Sequence, residues 1–407
     1  MIDRRPAPIT TSPDRAITTS AIVALGCGQL VNWGVMYFAF GVLLVPLERY
    51  LDAPRWLVAG AFSLGLLMSA VTAPIVGRLA DRGQGPAVIQ AGGLVAAGLL
   101  IFWAAFPSIV STYVVWALLG ICMSAILYEP VFAVVGRAFG DASDRMRAIA
   151  TVTVMGGLAS TVFLPGTAAL NAWLGWRGAT VAIAAIIAVS TIIVGRVAFR
   201  DLEWSAATIR DAIVGRAMAG AAPLPGVDRI ALVFAISAIV NSGVASNLVA
   251  ALMEGGFEPT VAATVAGLFG VTQLPGRLLM TSPRFTPSPI ILVIFSFALQ
   301  VIGLVALMFD NGVALVSGVV IFASGAGLTT LARPYWVLHR YGAERAGGAN
   351  GIIARGSQLA RAAGPVAAAA LAGASSYALV FLLFGGLLIA AGIAAATPER
   401  AQTPIGK

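Results

Sequence analysis

Twelve long apolar runs constrain this chain more than any other feature of its sequence. They fall at about 17–46, 55–79, 87–106, 110–138, 148–170, 179–199, 228–253, 260–281, 288–308, 312–336, 348–371 and 377–396. An α-helix rises about 1.5 Å per residue, so about twenty apolar residues cross the roughly 30 Å of hydrocarbon in a bilayer. Inside lipid every backbone N–H and C=O must be satisfied within the segment, which makes these runs helices. The 407 residues are 59% hydrophobic and 10% charged, with a mean hydropathy of +0.93. A soluble domain carries about 25% charged residues, so this chain cannot clothe itself for water. The expected fold is an all-α polytopic membrane protein.

Arginine sets the expected orientation, because Lys407 is the only lysine. With the N-terminus inside, the cytoplasmic segments hold Arg4, Arg5, Arg15, Arg82, Arg145, Arg147, Arg200, Arg210, Arg216, Arg284, Arg340, Arg345 and Arg400, against Arg49, Arg55 and Arg177 outside. That asymmetry predicts cytoplasmic termini in a bacterial inner membrane. The same scatter of basic residues through short loops argues against nucleic acid as the partner of a chain with formal charge +8. Residues 1–16 are polar and basic and read as a tail rather than a cleaved signal peptide; 397–407 read as a second tail. Cys27 and Cys122 lie in apolar runs and imply no disulfide framework.

The longest polar interval, 200–227, contains SAATIRDAIVGRAM and then the breaker run AGAAPLPG, and reads as a cytoplasmic connector between halves at 17–199 and 228–396. The halves repeat each other. GGLASTVFLPGTAAL (156–170) aligns with GSQLARAAGPVAAAAL (356–371), placing Gly156 over Gly356 and Pro165 over Pro365. Gly77–Arg78–Leu79 aligns with Gly276–Arg277–Leu278, and Glu129–Pro130 with Arg333–Pro334. The chain therefore reads as two pseudo-symmetric six-helix halves, an arrangement of secondary transporters with a midplane cavity between the repeats.

The loop GRLADRGQG (77–85) resembles the signature loop of the major facilitator superfamily, G-x-L-a-D-R-x-G-R-K, at Gly77, Leu79, Ala80, Asp81 and Arg82. It departs from that pattern where the next glycine is displaced by one position and Gly85–Pro86 replaces the closing basic pair. The resemblance covers about 17–396 and implies that Asp81 pairs with a basic residue at a neighbouring helix end, Arg137 here, to lock the cytoplasmic side. GQLVNWGVMYFAFGVLLVPLE, AFSLGLLMSAVTAPIVGRLADR and LYEPVFAVVGRAFG are similar to the bacterial monocarboxylate-carrier and oxalate–formate-antiporter group, which implies an organic anion as substrate.

A charge in a spanning helix costs about 2.5–3.5 kcal/mol and needs a partner, water or a function. Five such residues stand out: Glu129, Arg277, Arg333, Arg355 and Arg361. Arg361 lies about 20 Å of helix from the end of its span, and its repeat partner is Thr161. It reads either as half of a buried pair with Glu129 or as an anion clamp, since guanidinium binds carboxylate bidentately and stays charged. Arg277, with Gln273 one turn before it, reads either as a loop anchor, by its match to Arg78, or as the basic residue that the resemblance implies for the substrate carboxylate. Glu129 and Arg333 lie at similar depth, one per half, and read either as interfacial charges or as an inner gate closed by attraction. The prolines beside them favour bending. Asn32 and Tyr37 in the first span, with Gln29 and Trp33, and Asn241 in the seventh, either bridge helices or line the cavity.

No P-loop, metal-ligand cluster or nucleophile constellation is visible, so no catalytic residue, metal or cofactor is expected. The leading reading is a monomeric secondary carrier of mono- or dicarboxylates, coupled to protons or a counter-anion by symport or antiport. The alternative is an efflux carrier for a lipophilic drug or toxicant.

Overall fold

The computed structural model describes residues 19–138, 142–199, 224–279 and 287–397, and among them all regular structure is helical. The chain is divided here into α1 (Thr19–Leu51), α2 (Arg55–Leu79), α3 (Gly85–Ala105), α4 (Ile109–Ile126 continued by Tyr128–Ala138), α5 (Ala142–Gly157 continued by 159–174) and α6 (176–198). The second half comprises α7 (Val227–Glu254), α8 (Pro259–Val271 and Leu274–Leu279), α9 (Pro289–Ala306), α10 (Gly312–Gly342), α11 (343–361 and Ala363–Ala374) and α12 (Tyr377–Ala396). Nine stretches among the described residues are long and apolar enough to cross a membrane. One of them, Arg145–Ala198, is 54 residues long, about twice what a single crossing needs. It folds back at Gly175 (φ 67°), and Gly342 (φ 69°) likewise separates α10 from α11. Both glycines occupy the left-handed region, where a β-carbon is disfavoured. Splitting that stretch and adding the interrupted helices α8 and α11 gives the twelve crossings expected from the apolar runs.

An even number of crossings puts Thr19 and Ala396 on one face, called here the terminal face; the other is the far face. Side-chain caps from Ser108, Asn311 and Ser376 start α4, α10 and α12 on the far face by satisfying helical N–H groups that no preceding turn can reach. Exposed apolar side chains such as Val71, Ile75, Val95, Ile101, Leu382 and Ile393 form the surface that lipid covers in a multi-pass membrane protein. The connector 200–227 lies outside the described residues up to position 223.

Each half packs its own core. In the first, the Phe40 and Phe62 rings stack at 4.7 Å and meet Trp116 edge-on, while Trp103 Nε1 donates to Thr112 Oγ1 at 3.0 Å. In the second, Phe234 meets Trp336 and Phe269 meets Phe322. Between halves, Val42, Val45 and Leu164 pack into the second-half cluster, and small polar contacts add to them. Thr161 Oγ1 on α5 donates to the Gly267 carbonyl of α8 at 2.8 Å and accepts from Val271 N at 3.0 Å. Ser63 Oγ on α2 accepts from Val366 N on α11 at 3.2 Å. Gly41 on α1 faces the Ser246 carbonyl of α7. In lipid, such close, hydrogen-bonded approaches do what apolar burial does in water.

Candidate functional site

Two prolines prepare the site by freeing carbonyls. Pro130 has no N–H to offer the carbonyl four residues back, so α4 breaks at Leu127 and the Ile126 carbonyl turns outward from the ladder. Gln29 Nε2 and Asn32 Nδ2 of α1 both donate to it, at 2.7 and 2.9 Å. In α11, Pro365 frees the Arg361 carbonyl in the same way, and Ser242 Oγ of α7 donates to it at 2.7 Å. The ladder of α11 is interrupted at Ala362, called here the α11 break, although its backbone stays helical (φ −64°, ψ −27°). Pro130→Ala is expected to return an N–H to Ile126 and raise the thermal stability of the purified protein. Proline in a helix interior is about 3 kcal/mol worse than alanine. Transport should slow, because a continuous α4 no longer bends; unchanged transport with raised stability would show the break to be dispensable.

Arg361 stands just before the α11 break. Its guanidinium has no hydrogen-bond partner among the described residues, yet it lies within electrostatic reach of the Tyr37 hydroxyl and of Arg333. Arg333 Nε is buried without a partner. The Glu129 carboxylate is also within electrostatic reach of Arg333, but among the described residues it forms no ion pair with either arginine. It accepts instead from Gln358 Nε2 at 2.9 Å, three residues before Arg361 on α11. Of the two readings of Arg361, the buried pair with Glu129 is not formed here among the described residues. The cluster holds two guanidiniums and one carboxylate, an excess of one positive charge. Tyr37 sits in a π-helical turn, Gly34–Phe38. Its ring lies 5.6 Å from Trp33, which lies 5.1 Å from Tyr128.

The remaining candidates are dispersed. Asn241 Nδ2 donates to Gln300 Oε1 at 3.0 Å and to the Ser237 carbonyl at 2.8 Å; Gln300 Nε2 donates to Thr329 Oγ1 at 2.9 Å. This chain ties α7 to α9 and α10. Gln273 is buried in the turn that interrupts α8, against Gly327 of α10. That turn separates Gln273 from the short helix Leu274–Leu279 that carries Arg277. The side chains of Arg277, Asp81 and Arg137 lie outside the described set, and Arg355 is exposed.

One cluster is absent from the sequence reading. At the far face Arg55 Nε pairs with Glu48 Oε2 at 2.8 Å, and Arg55 Nη1 pairs with Glu254 Oε1 at 2.5 Å and donates to the Tyr377 hydroxyl at 3.3 Å. Glu48 and Arg55 belong to α1 and α2, Glu254 and Tyr377 to α7 and α12, so one guanidinium latches the two halves together. On the terminal face Glu129 and Arg333 stay apart. Placing Arg55 and Glu254 on one face by counting crossings was the available signal; positions 199 residues apart carry no local one.

Comparisons with known proteins agree with this architecture. The sequence matches the Major Facilitator Superfamily profile over residues 25–279. Among solved structures, a bacterial homolog of the human lysosomal transporter Spinster, in an inward-facing and occupied conformation, superposes with a TM-score of 0.73 at 16% identity, covering 95% of this chain and 97% of that one. The nucleoside transporter NupG gives 0.70 at 12% identity, with 92% and 97% covered. The human organic anion transporter MFSD10 (TETRAN) gives 0.65 at 17% identity, with 94% and 100% covered. No curated protein is matched by the sequence. Twelve crossings in two halves, a latch between the halves and a matching profile over most of the chain make this protein a transporter rather than an enzyme, and it belongs to the major facilitator superfamily.

Proposed function

We propose that the chain carries small organic anions, mono- or dicarboxylates, across a bacterial inner membrane by alternating access, with the terminal face cytoplasmic. The observation that carries this reading is Arg361: a guanidinium deep in a spanning helix, within electrostatic reach of a second arginine and a tyrosine hydroxyl, with no hydrogen-bond partner among the described residues. Arginine keeps its charge at any working pH. Leaving it unneutralised in a membrane interior is expensive, and a bound carboxylate removes that expense with two charge-assisted hydrogen bonds. Arg277 is a second cation in the proposed site, with Gln273, Asn32, Tyr37 and Asn241 around it. Counterflow of labelled oxalate and lactate in proteoliposomes tests the reading. Exchange of either anion supports it; exchange of neither, with uptake of a lipophilic cation, favours the drug-efflux alternative.

Glu129 and Arg333 form the inner gate in this reading, and Asp81 with Arg137 braces it. The far-face latch is closed, and on the terminal side Glu129 is tied to Gln358 of the other half rather than to Arg333. Proton or counter-anion coupling is part of the proposal, with Glu129 the acid proposed for a proton-coupled cycle. Either single neutralisation is expected to shift the population inward. The swap Glu129→Arg with Arg333→Glu should recover part of the lost transport, because removing one partner of a partly desolvated pair strands the other charge. Absence of rescue, with unaltered thiol accessibility from the terminal face, would leave the two charges unrelated.

A further inference from the structure

A directed chain of hydrogen bonds runs from the far-face latch through Tyr377 and Asn247 to the Pro365 carbonyl, four residues beyond the arginine of the proposed anion site. Arg55 Nη1 donates to the Tyr377 hydroxyl at 3.3 Å, and that hydroxyl donates to Asn247 Oδ1 at 3.3 Å. Asn247 Nδ2 then donates to the Pro365 carbonyl at 3.2 Å and to the Gly243 carbonyl at 3.0 Å. Five residues earlier on α7, Ser242 holds the Arg361 carbonyl. Both ends of the α11 break, Arg361 and Pro365, therefore hang from α7. Tyr377 and Asn247 are 5% and 2% exposed, so water does not substitute for a lost member. The Arg55 guanidinium also sits 5.9 Å from the Tyr377 ring.

We propose that Tyr377 and Asn247 are positioning residues that transmit the state of the Arg55–Glu254 latch to the α11 break and so set the placement of Arg361. The inference rests on the anion-carrier reading only for what Arg361 holds, not for the transmission itself. Every link is a donor passing to an acceptor in one direction, an arrangement in which each bond polarises the next. When the latch parts, Arg55 leaves the Tyr377 hydroxyl, that hydroxyl is free to turn from Asn247, and the Pro365 carbonyl loses its donor. Gly364 fits against Ser242 Oγ and the Ile239 carbonyl without room for a β-carbon, so the α11 break cannot shift independently of α7.

Hydrogen exchange of the full-length protein tests the relay without any ligand. Residues 48–57 report the latch and 361–374 report the α11 break. Glu254→Gln is expected to speed exchange in both segments by about fivefold, the value of one hydrogen bond. Tyr377→Phe keeps the ring and the carboxylate pairs but removes the relay hydroxyl. It should speed exchange in 361–374 while leaving 48–57 nearly unchanged. In the double variant, Glu254→Gln should still loosen 48–57 and add nothing at 361–374. A purely structural role for Tyr377, or a global change of state, predicts additive effects at 361–374 instead, and that result would overturn the relay. If Tyr377→Phe does not fold, Asn247→Ser makes the same test. Oxalate titrations form a separate arm: Glu254→Gln should change oxalate affinity about fivefold with Tyr377 present and not with Phe there. An intact exchange pattern without oxalate binding to any variant would uphold the relay and remove the dicarboxylate reading.

Discussion

Arg361→Gln is expected to reduce anion counterflow about a hundredfold, the loss of two charge-assisted hydrogen bonds to a carboxylate. Yield and melting temperature should hold. The side chain contributes no hydrogen bond to the protein among the described residues, while the bond that anchors this position uses the Arg361 carbonyl, which glutamine keeps. Removing the charge also lowers the repulsion on Arg333. Arg361→Lys should recover only part of the loss, because an ammonium cannot reproduce the planar fork. The decisive measurement pairs counterflow with thermal unfolding on the same preparation. Full transport in the glutamine variant would remove Arg361 from the site; lost transport with lost folding would return it to a structural role.

Gly364→Val is expected to deplete the folded protein, the largest structural effect foreseen for any single change here. A β-carbon at Gly364 would lie 2.1 Å from Ser242 Oγ, 2.3 Å from the Ile239 carbonyl oxygen and 2.6 Å from Gly243 N. Two of these are backbone atoms of α7 and cannot swing away, so α7 and α11 must separate. Overpacking of this kind usually costs about 1–3 kcal/mol, and more where backbone must move. The separation would also break the Ser242 and Asn247 bonds to α11. Gly386→Val supplies the control, since nothing lies within 4 Å of its β-carbon position. Fluorescence-detected size exclusion of both variants from one expression batch gives the comparison. A monodisperse, thermally normal Gly364 variant would contradict the packing described here.

What the sequence announced is what local chemistry determines. Apolar run lengths marked the crossings, and the composition forced them to be helical. The prolines beside Glu129 and Arg333 marked places to bend: α4 breaks before Pro130, while α10 runs on through Pro334 and the second interruption falls before Pro365, known from the sequence only as a repeat match. Gln29, Asn32 and Ser242 fill those gaps from other helices, and such choices depend on packing between segments about one hundred residues apart. Spacing put Gln273 and Arg277 one turn apart but did not mark the turn at Thr272–Gln273 that divides α8 into two pieces. The latch escaped notice for a related reason. Arg55 read as one of three charges outside, and its meaning arises only once Glu48, Glu254 and Tyr377 converge on it.

That convergence also gives the molecule an electrical polarity along the membrane normal. Two carboxylates, Glu48 and Glu254, share the single guanidinium of Arg55, leaving the latch cluster one negative charge in excess. The cluster of Arg333, Arg361 and Glu129 is one positive charge in excess. On the proposed reading, an anion meets repulsion at the far-face latch and attraction at the interior cluster. At physiological salt the surface field fades within about 8 Å, while the field of the interior cluster is screened far less. On the proposed anion-carrier reading this polarity biases anions toward the interior arginines, and neutralising Glu48 or Glu254 would flatten that bias even where the latch still holds.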